Sequence, residues 1–525
     1  MKLSSIRKIG IAGASTLVLG LLFYALFPNM LNRQIGARVS LEKGKLRRFI
    51  WDKPPFFLTA KFYVFNVTNP DAVMKGAKPA LREIGPFAYD MVHENTNQLD
   101  NETDDTITFD QRHTYFFNSA KSEGLTGEEE LVVPNIFVLS SMNFVLRIMP
   151  NAISILSKAV DSIFGNPESL FVRVKARDLL FDGLAINCNA TDFAGSTVCR
   201  EVQASYKDFN MAKVGDTEYL FSIWGSENGS DSSDRMRVAR GVRRIEDVGK
   251  VVGLNGRANM SVWGVSQCDK IEGTDGSIFH PFFDEDGAEP LDVFVPSMCR
   301  SLRYRFHSKT QFYGLDALRY TTDVGVDGEH VREHKCFCED PFKCMRKGVL
   351  DMFKCLKVPI IASNPHFHLA DPYYLDSVSG LEPKEDKHAM YVDIDPLTGT
   401  PVVFSAKVQF NMMLARQDKF RLTSNVTDTL LPLFWLEEGF ETPDFLMEDL
   451  IMAHRVLSLA TSFKYLTIIF GFVLSVGSMY LYLTTSTGGS DLVSKKEVRS
   501  ANSNPPSGGN KKSPITMSTL QQPRT

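Results

Sequence analysis

The sequence predicts an α+β ectodomain carried between two membrane-spanning helices. Three observations predict it. Two uncharged apolar runs, 9–27 and 465–484, lie near the ends of the 525-residue chain. All eight cysteines and all six N-x-[ST] sequons fall between those runs. The stretch between them is rich in β-branched and aromatic segments, broken by one long segment with helical spacing. With 43% hydrophobic residues, the chain has enough apolar material for a sizeable core as well as two spans.

Residues 1–8 form a short tail carrying Lys2, Arg7 and Lys8 without an acid. Residues 9–27 have the length a helix needs to cross roughly 30 Å of hydrocarbon. A cleaved signal peptide is the competing reading. The run is longer than a signal core, and Leu26-Phe27-Pro28 lacks a small-x-small cleavage pattern, so an uncleaved anchor is expected. The second span, 465–484, is followed by a tail, 485–525, rich in Ser, Gly, Asn, Pro and Lys, a composition that cannot bury enough surface to fold. Its bases (Lys495, Lys496, Arg499, Lys511, Lys512, Arg524) outnumber Asp491 and Glu497, which favours both tails in the cytoplasm. Arg33, Arg38, Lys43, Lys45, Arg47 and Arg48, beyond the first span, pull the other way. The cysteines and sequons decide the question. Disulfides and N-glycans belong to an oxidising, extracytoplasmic compartment. Gly10-x-x-x-Ala14 and Gly471-x-x-x-Ser475 offer small-residue steps for helix packing.

The ectodomain, 28–464, shows no repeats and no dividing linker. Strands are predicted over 57–67, 106–117, 402–413 and 431–436. Segment 135–180 instead carries Ile136, Leu139, Leu146, Ile155, Leu156, Ala159 and Ile163 at helical spacing. Pro150 and Gly165-Asn166-Pro167 cut it into two or three helices. It is unusually apolar. Phe137, Met142, Phe144, Val145 and Met149 are candidates for a lipid entrance, although each is also a natural core residue.

Charge excludes one class and motifs exclude others. Net charge is −4 and both tails are basic, so the ectodomain is acidic and unsuited to nucleic acid. No G-x-S-x-G elbow, HExxH helix or Walker-type loop is present, so neither catalysis nor a cofactor is expected. His366-Phe367-His368 lacks further metal ligands, and Cys336, Cys338, Cys344 and Cys355 read as disulfides before a zinc knuckle. Sequence alone leaves the pairing of the eight cysteines open. The sequon asparagines are Asn66, Asn101, Asn189, Asn228, Asn259 and Asn425.

Several strings carry a resemblance: Lys61-Phe-Tyr-Val-Phe-Asn-Val-Thr-Asn-Pro70, Glu83-Ile-Gly-Pro-Phe87, Gly273-Thr-Asp-Gly276, Cys299-Arg-Ser301, Cys336-Phe-Cys-Glu-Asp340, Pro365-His-Phe367 and Leu431-Pro-Leu-Phe-Trp435. In order, and with two spans, they resemble the class B scavenger receptor family across the whole ectodomain. Leu125-Thr-Gly-Glu-Glu-Glu130, Pro341 after Asp340, and the extra pair Cys188 and Cys199 are most similar to its insect sensory-neuron branch.

The resemblance implies a β-barrel-like core, a helical apex over 135–180 and an apolar tunnel toward the membrane. It implies the disulfides Cys268–Cys336, Cys299–Cys355 and Cys338–Cys344, leaving Cys188 with Cys199. It also implies capture of fatty-acid-derived odorants from an extracellular carrier and delivery to the membrane or an odorant receptor in olfactory neuron dendrites. General lipid or lipoprotein scavenging is the nearer alternative. For a basic ligand contact at the apex, Lys158, Arg147 and Lys175 are candidates. Two departures stand out: the tails lack cysteines for acylation, and no lysine aligns cleanly with the family's basic position. Rival classes are a two-span ligand-gated channel and a nucleotide phosphohydrolase, for which Thr274-Asp-Gly-Ser277 is too weak a phosphate loop.

Overall fold

The computed structural model describes residues 2–500 apart from Asn210, Glu285, Ala288 and Pro341. The chain divides into Asn32–Ile451 and a terminal unit, Met1–Leu31 with Met452–Thr525. Helix α1 (Leu3–Val39) leads into a short helix α2 (Leu46–Asp52).

The body is one 13-stranded sheet. In chain order its strands are β1 (Leu58–Val67), β2 (Leu81–Asn101), β3 (Thr106–Phe117), β4 (Met236–Ala239), β5 (Val251–Leu254), β6 (Leu291–Val295), β7 (Arg300–Phe312), β8 (Leu315–Thr322), β9 (Val349–Asp351), β10 (Ile361–Ser363), β11 (Met390–Ile394), β12 (Pro401–Leu414) and β13 (Thr429–Glu441). The order across the sheet is β5-β4-β3-β2-β1-β13-β12-β11-β8-β7-β6, with β10 pairing both β12 and β9. The four predicted strands are β1, β3, β12 and β13, each matched to within a few residues at most ends.

The sheet curls into a nearly closed barrel, and its two edges meet at Thr274. That residue bridges Lys250 beside β5 and Val293 in β6. Three backbone bonds make the clasp: Val251 N–H to Gly273 O (2.9 Å), Thr274 N–H to Asp292 O (3.0 Å) and Phe294 N–H to Thr274 O (2.8 Å). Gly273 sits at φ +88°, and a Cβ there would lie 1.8 Å from the Asp292 carbonyl oxygen. Only glycine tolerates that combination.

Period-two alternation sorts residues between the barrel's faces. Register places Ala60, Phe62, Val408, Leu436 and Glu438 on the inner face, and Lys61, Tyr63, Lys407, Trp435 and Glu437 on the outer. Above one end sit helices α3 (Ile136–Ile148), α4 (Ile153–Phe164) and α5 (Phe193–Ser205). Pro150 separates the first two and Gly165 ends the second, as the sequence predicts, but 165–180 forms no third α-helix. Instead Phe171–Lys175 pairs antiparallel with Glu130–Pro134, followed by a π-helical turn at Asp178–Asp182.

All eight cysteines are paired: Cys188–Cys199, Cys268–Cys336, Cys299–Cys355 and Cys338–Cys344. Five sequon asparagines are exposed. Asn66 is not. It lies in β1, 9% exposed, with Oδ1 accepting from Val132 N–H at 2.7 Å.

The last helix, α6 (Asp444–Ser500), extends into the segment read as tail; residues 501–525 of that tail lie outside the described residues. Both α1 and α6 are long and apolar enough to cross a bilayer. Within the terminal unit they pack side by side at their small residues. Gly10 faces Ser478, Gly13 faces Ser475, and a Cβ on Gly471 would meet Leu17 backbone at 2.4 Å. The Lys464 ammonium lies over Tyr24, Phe27 and Tyr465 at 5.0, 4.9 and 4.7 Å.

Candidate functional site

The apex is set by local signals. Asn135 caps α3, its Oδ1 accepting from Val138 N–H at 3.1 Å, and Gly165 ends α4 in the left-handed region. Asp192 caps α5 through Gly195 N–H and also accepts from Ser162 Oγ, which fastens α5 to α4. Helix α3 turns one face to β12, where buried Asn143 donates to Met413 O at 2.8 Å.

That contact separates the entrance candidates. Met142 is fully buried beside Thr423, whose hydroxyl reaches its sulfur at 3.5 Å, so it belongs to the core and not to an entrance surface. Phe137 is half-buried against Phe164 and Phe221, Phe144 lies between Phe209 and Phe353, and Val145 is half-buried. Met149 stands at the surface, 53% exposed, with Ile148 beside it; Ile155 and Lys158 are exposed one turn apart on α4. Of the basic candidates, Arg147 is a brace. It pairs with Asp351 at 2.8 Å and Glu339 at 3.4 Å, over the Phe353 ring. Lys175 pairs with Glu128 at 2.8 Å. Among the described residues Lys158 has no ion-pair partner.

Below the apex the inner barrel face is aromatic. Phe62 packs edge-on against Tyr89, Phe181 and Trp224, and Trp224 against Phe410 and Phe434. Polar groups interrupt this lining. Tyr115 Oη donates to Glu438 Oε1 at 3.4 Å. Further along β2 and β3, His93 Nδ1 meets His113 Nε2 at 2.8 Å. Glu438 and His93 are both half-buried on this inner face. Burial pushes the Glu438 carboxyl up and the imidazoles of His93 and His113 down, to about 3 and about 4.

On the outer face four of the family strings converge. Glu83 Oε2 accepts from His366 Nε2 and Trp435 Nε1, both at 2.6 Å. His366 Nδ1 accepts from Glu382 N–H, which fixes its tautomer. His388 stacks on His366 at 4.3 Å, and Tyr63 stacks on Trp435 at 3.9 Å. Burial alone would raise Glu83, but its two donors outweigh that and hold it below the usual carboxylate range. His366 is therefore part of a structural knot, and among the described residues no group of three or more potential metal ligands is found.

A disulfide-braced barrel with a helical cap, carried between two apolar terminal helices, defines a two-span membrane protein with one large folded domain. The chain belongs to the CD36 family, whose profile matches residues 11–482. Sensory neuron membrane protein 1 of Apis mellifera is 39% identical over 518 residues, covering 98% of this chain and 97% of that protein. Proteins of the same name from Ostrinia furnacalis (37%, covering 91% and 90%) and Manduca sexta (34%, covering 92% and 92%) match comparably.

Proposed function

We propose that this chain is a lipid-binding receptor of sensory-neuron plasma membranes. It takes up fatty-acid-derived hydrophobic odorants at the apex and passes them through the ectodomain to the bilayer or to a neighbouring odorant receptor. Both termini face the cytoplasm, and an extracellular carrier supplies the ligand. The observation that carries this reading is the aromatic inner face of the barrel, where Phe62 packs against Tyr89, Phe181 and Trp224, beneath an apex exposing Ile148, Met149 and Ile155. Each CH₂ that leaves water contributes about 0.8 kcal/mol, so such an interior holds a long acyl chain without covalent chemistry. Named sensory-neuron relatives along nearly the full length favour this use over general scavenging.

The test is displacement of a fluorescent long-chain probe from the full-length protein in nanodiscs, against empty nanodiscs. Saturable, competable binding that Met149→Asp weakens supports apical uptake. Absence of binding by the folded, disulfide-intact protein overturns it.

A further inference from the structure

An aromatic barrel interior suits an acyl chain, but the ligand's polar end needs a partner of its own. Inside the barrel, Glu438 stands in a row with Ala60 on β1 and Ala406 on β12. Both neighbours are a single methyl group, so the carboxyl projects past them. Its bond from Tyr115, at 3.4 Å, is loose for an O–H···O contact. Among the described residues, Oε2 has no hydrogen-bond partner. The carboxyl is half-buried on the barrel's inner face, with one oxygen loosely partnered and the other without a partner among the described residues. A buried polar group left in that state is costly unless something else hydrogen-bonds to it.

We propose that Glu438 and Tyr115 form a head-group site that accepts the uncharged oxygen of an alcohol, aldehyde or ester and disfavours a free carboxylate. This rests on the uptake reading and adds a chemical class to it. Burial favours the acid form of Glu438, whose O–H then donates to a carbonyl or hydroxyl oxygen; its remaining lone pairs accept from a ligand hydroxyl. The Tyr115 hydroxyl, 3.4 Å from the carboxyl, is a second donor within reach. A ligand carboxylate brought here would lose its hydration beside a group that must stay uncharged.

The experiment compares four ligands of equal chain length, an alcohol, an acetate ester, a carboxylate and an alkane. They compete for the same fluorescent probe on full-length protein in nanodiscs. Wild type should bind alcohol and ester roughly tenfold more tightly than the alkane, and the carboxylate more weakly than either. Glu438→Leu should remove most of that advantage while leaving alkane affinity unchanged. Glu438→Gln, which keeps a donor and the shape, should retain the preference for neutral heads and acts as the folding control. Tyr115→Phe should give an intermediate loss. Head-group ratios equal in wild type and Glu438→Leu would overturn this inference and leave uptake standing. No displacement by any ligand in wild type would overturn the uptake reading, and this inference with it.

Discussion

Glu437 and Glu438 are neighbours in sequence and face opposite sides of one strand. The first pairs on the outer face with Lys61 at 3.3 Å and Lys407 at 3.7 Å; the second enters the barrel. Nothing in the pair of letters says which faces inward, because alternation fixes only that they differ. Asn66 gives a similar lesson. Its sequon reads like the other five, but its side chain is turned into the fold. Asn66→Gln should therefore leave electrophoretic mobility unchanged, whereas Asn425→Gln should remove one glycan's shift if that exposed site is used; a shift at Asn66 would contradict the placement. Histidines supply an acid response. His388 is held down to about 4 by burial and by His366, and His93 and His113 to about 3 and about 4. Each takes up a proton in the unfolded chain near pH 6.5 and not in the fold. Stability present at pH 7 is thus lost progressively as pH falls from about 6.5 toward those folded values. Glu83, held low, adds a further loss below the unfolded carboxylate value. Melting temperatures should drop from pH 7 to pH 5, less steeply in His388→Gln, and parallel slopes would rule His388 out.

Elements with a strong period were legible, and elements held by distant partners were not. The helices α3 and α4 show themselves through apolar spacing and the breakers Pro150 and Gly165. Helix α5 carries Gly195, Ser196 and Thr197 in its first turns and shows little apolar rhythm. It is secured instead by the Asp192 cap and by Cys188–Cys199, which closes a separation of 11 residues. Replacing both cysteines by serine should lower stability by about 3 kcal/mol on a chain-entropy estimate, read as denaturant midpoint. The short strand at 171–175 was equally hidden, since five residues after Gly165-Asn166-Pro167 fit a helix or a strand. Burial within α3 gives a sharper test. Met142→Ala should cost roughly 2–5 kcal/mol, whereas Met149→Ala should stay within about 0.5 kcal/mol. Equal effects in thermal melts would show that the two side chains share one environment.

At the scale of the molecule, spans and cysteines announced a two-span protein, and strand composition announced a β-rich body. Closure into a barrel was not legible from composition or periodicity. It depends on β1 meeting β13, with Phe62 opposite Leu436, and on the pairing of edges through Thr274. Contacts so distant in sequence close slowly, because long loops must be ordered before they gain anything. The family strings look scattered for the same reason. Glu83 lies 283 residues from His366 and 352 from Trp435, and all three share one hydrogen-bonded knot. Trp435→Phe should cost about 1–3 kcal/mol by leaving Glu83 with a single donor, measurable as a lower denaturant midpoint.

The Thr274 clasp also bears on how many such molecules can crowd one membrane. An open sheet of this length would present β5 and β6 as bare edges, each a template for a strand from the next copy. Three backbone hydrogen bonds and one glycine cap both edges at once. Solubility of the folded domain at high density thus hangs on Gly273.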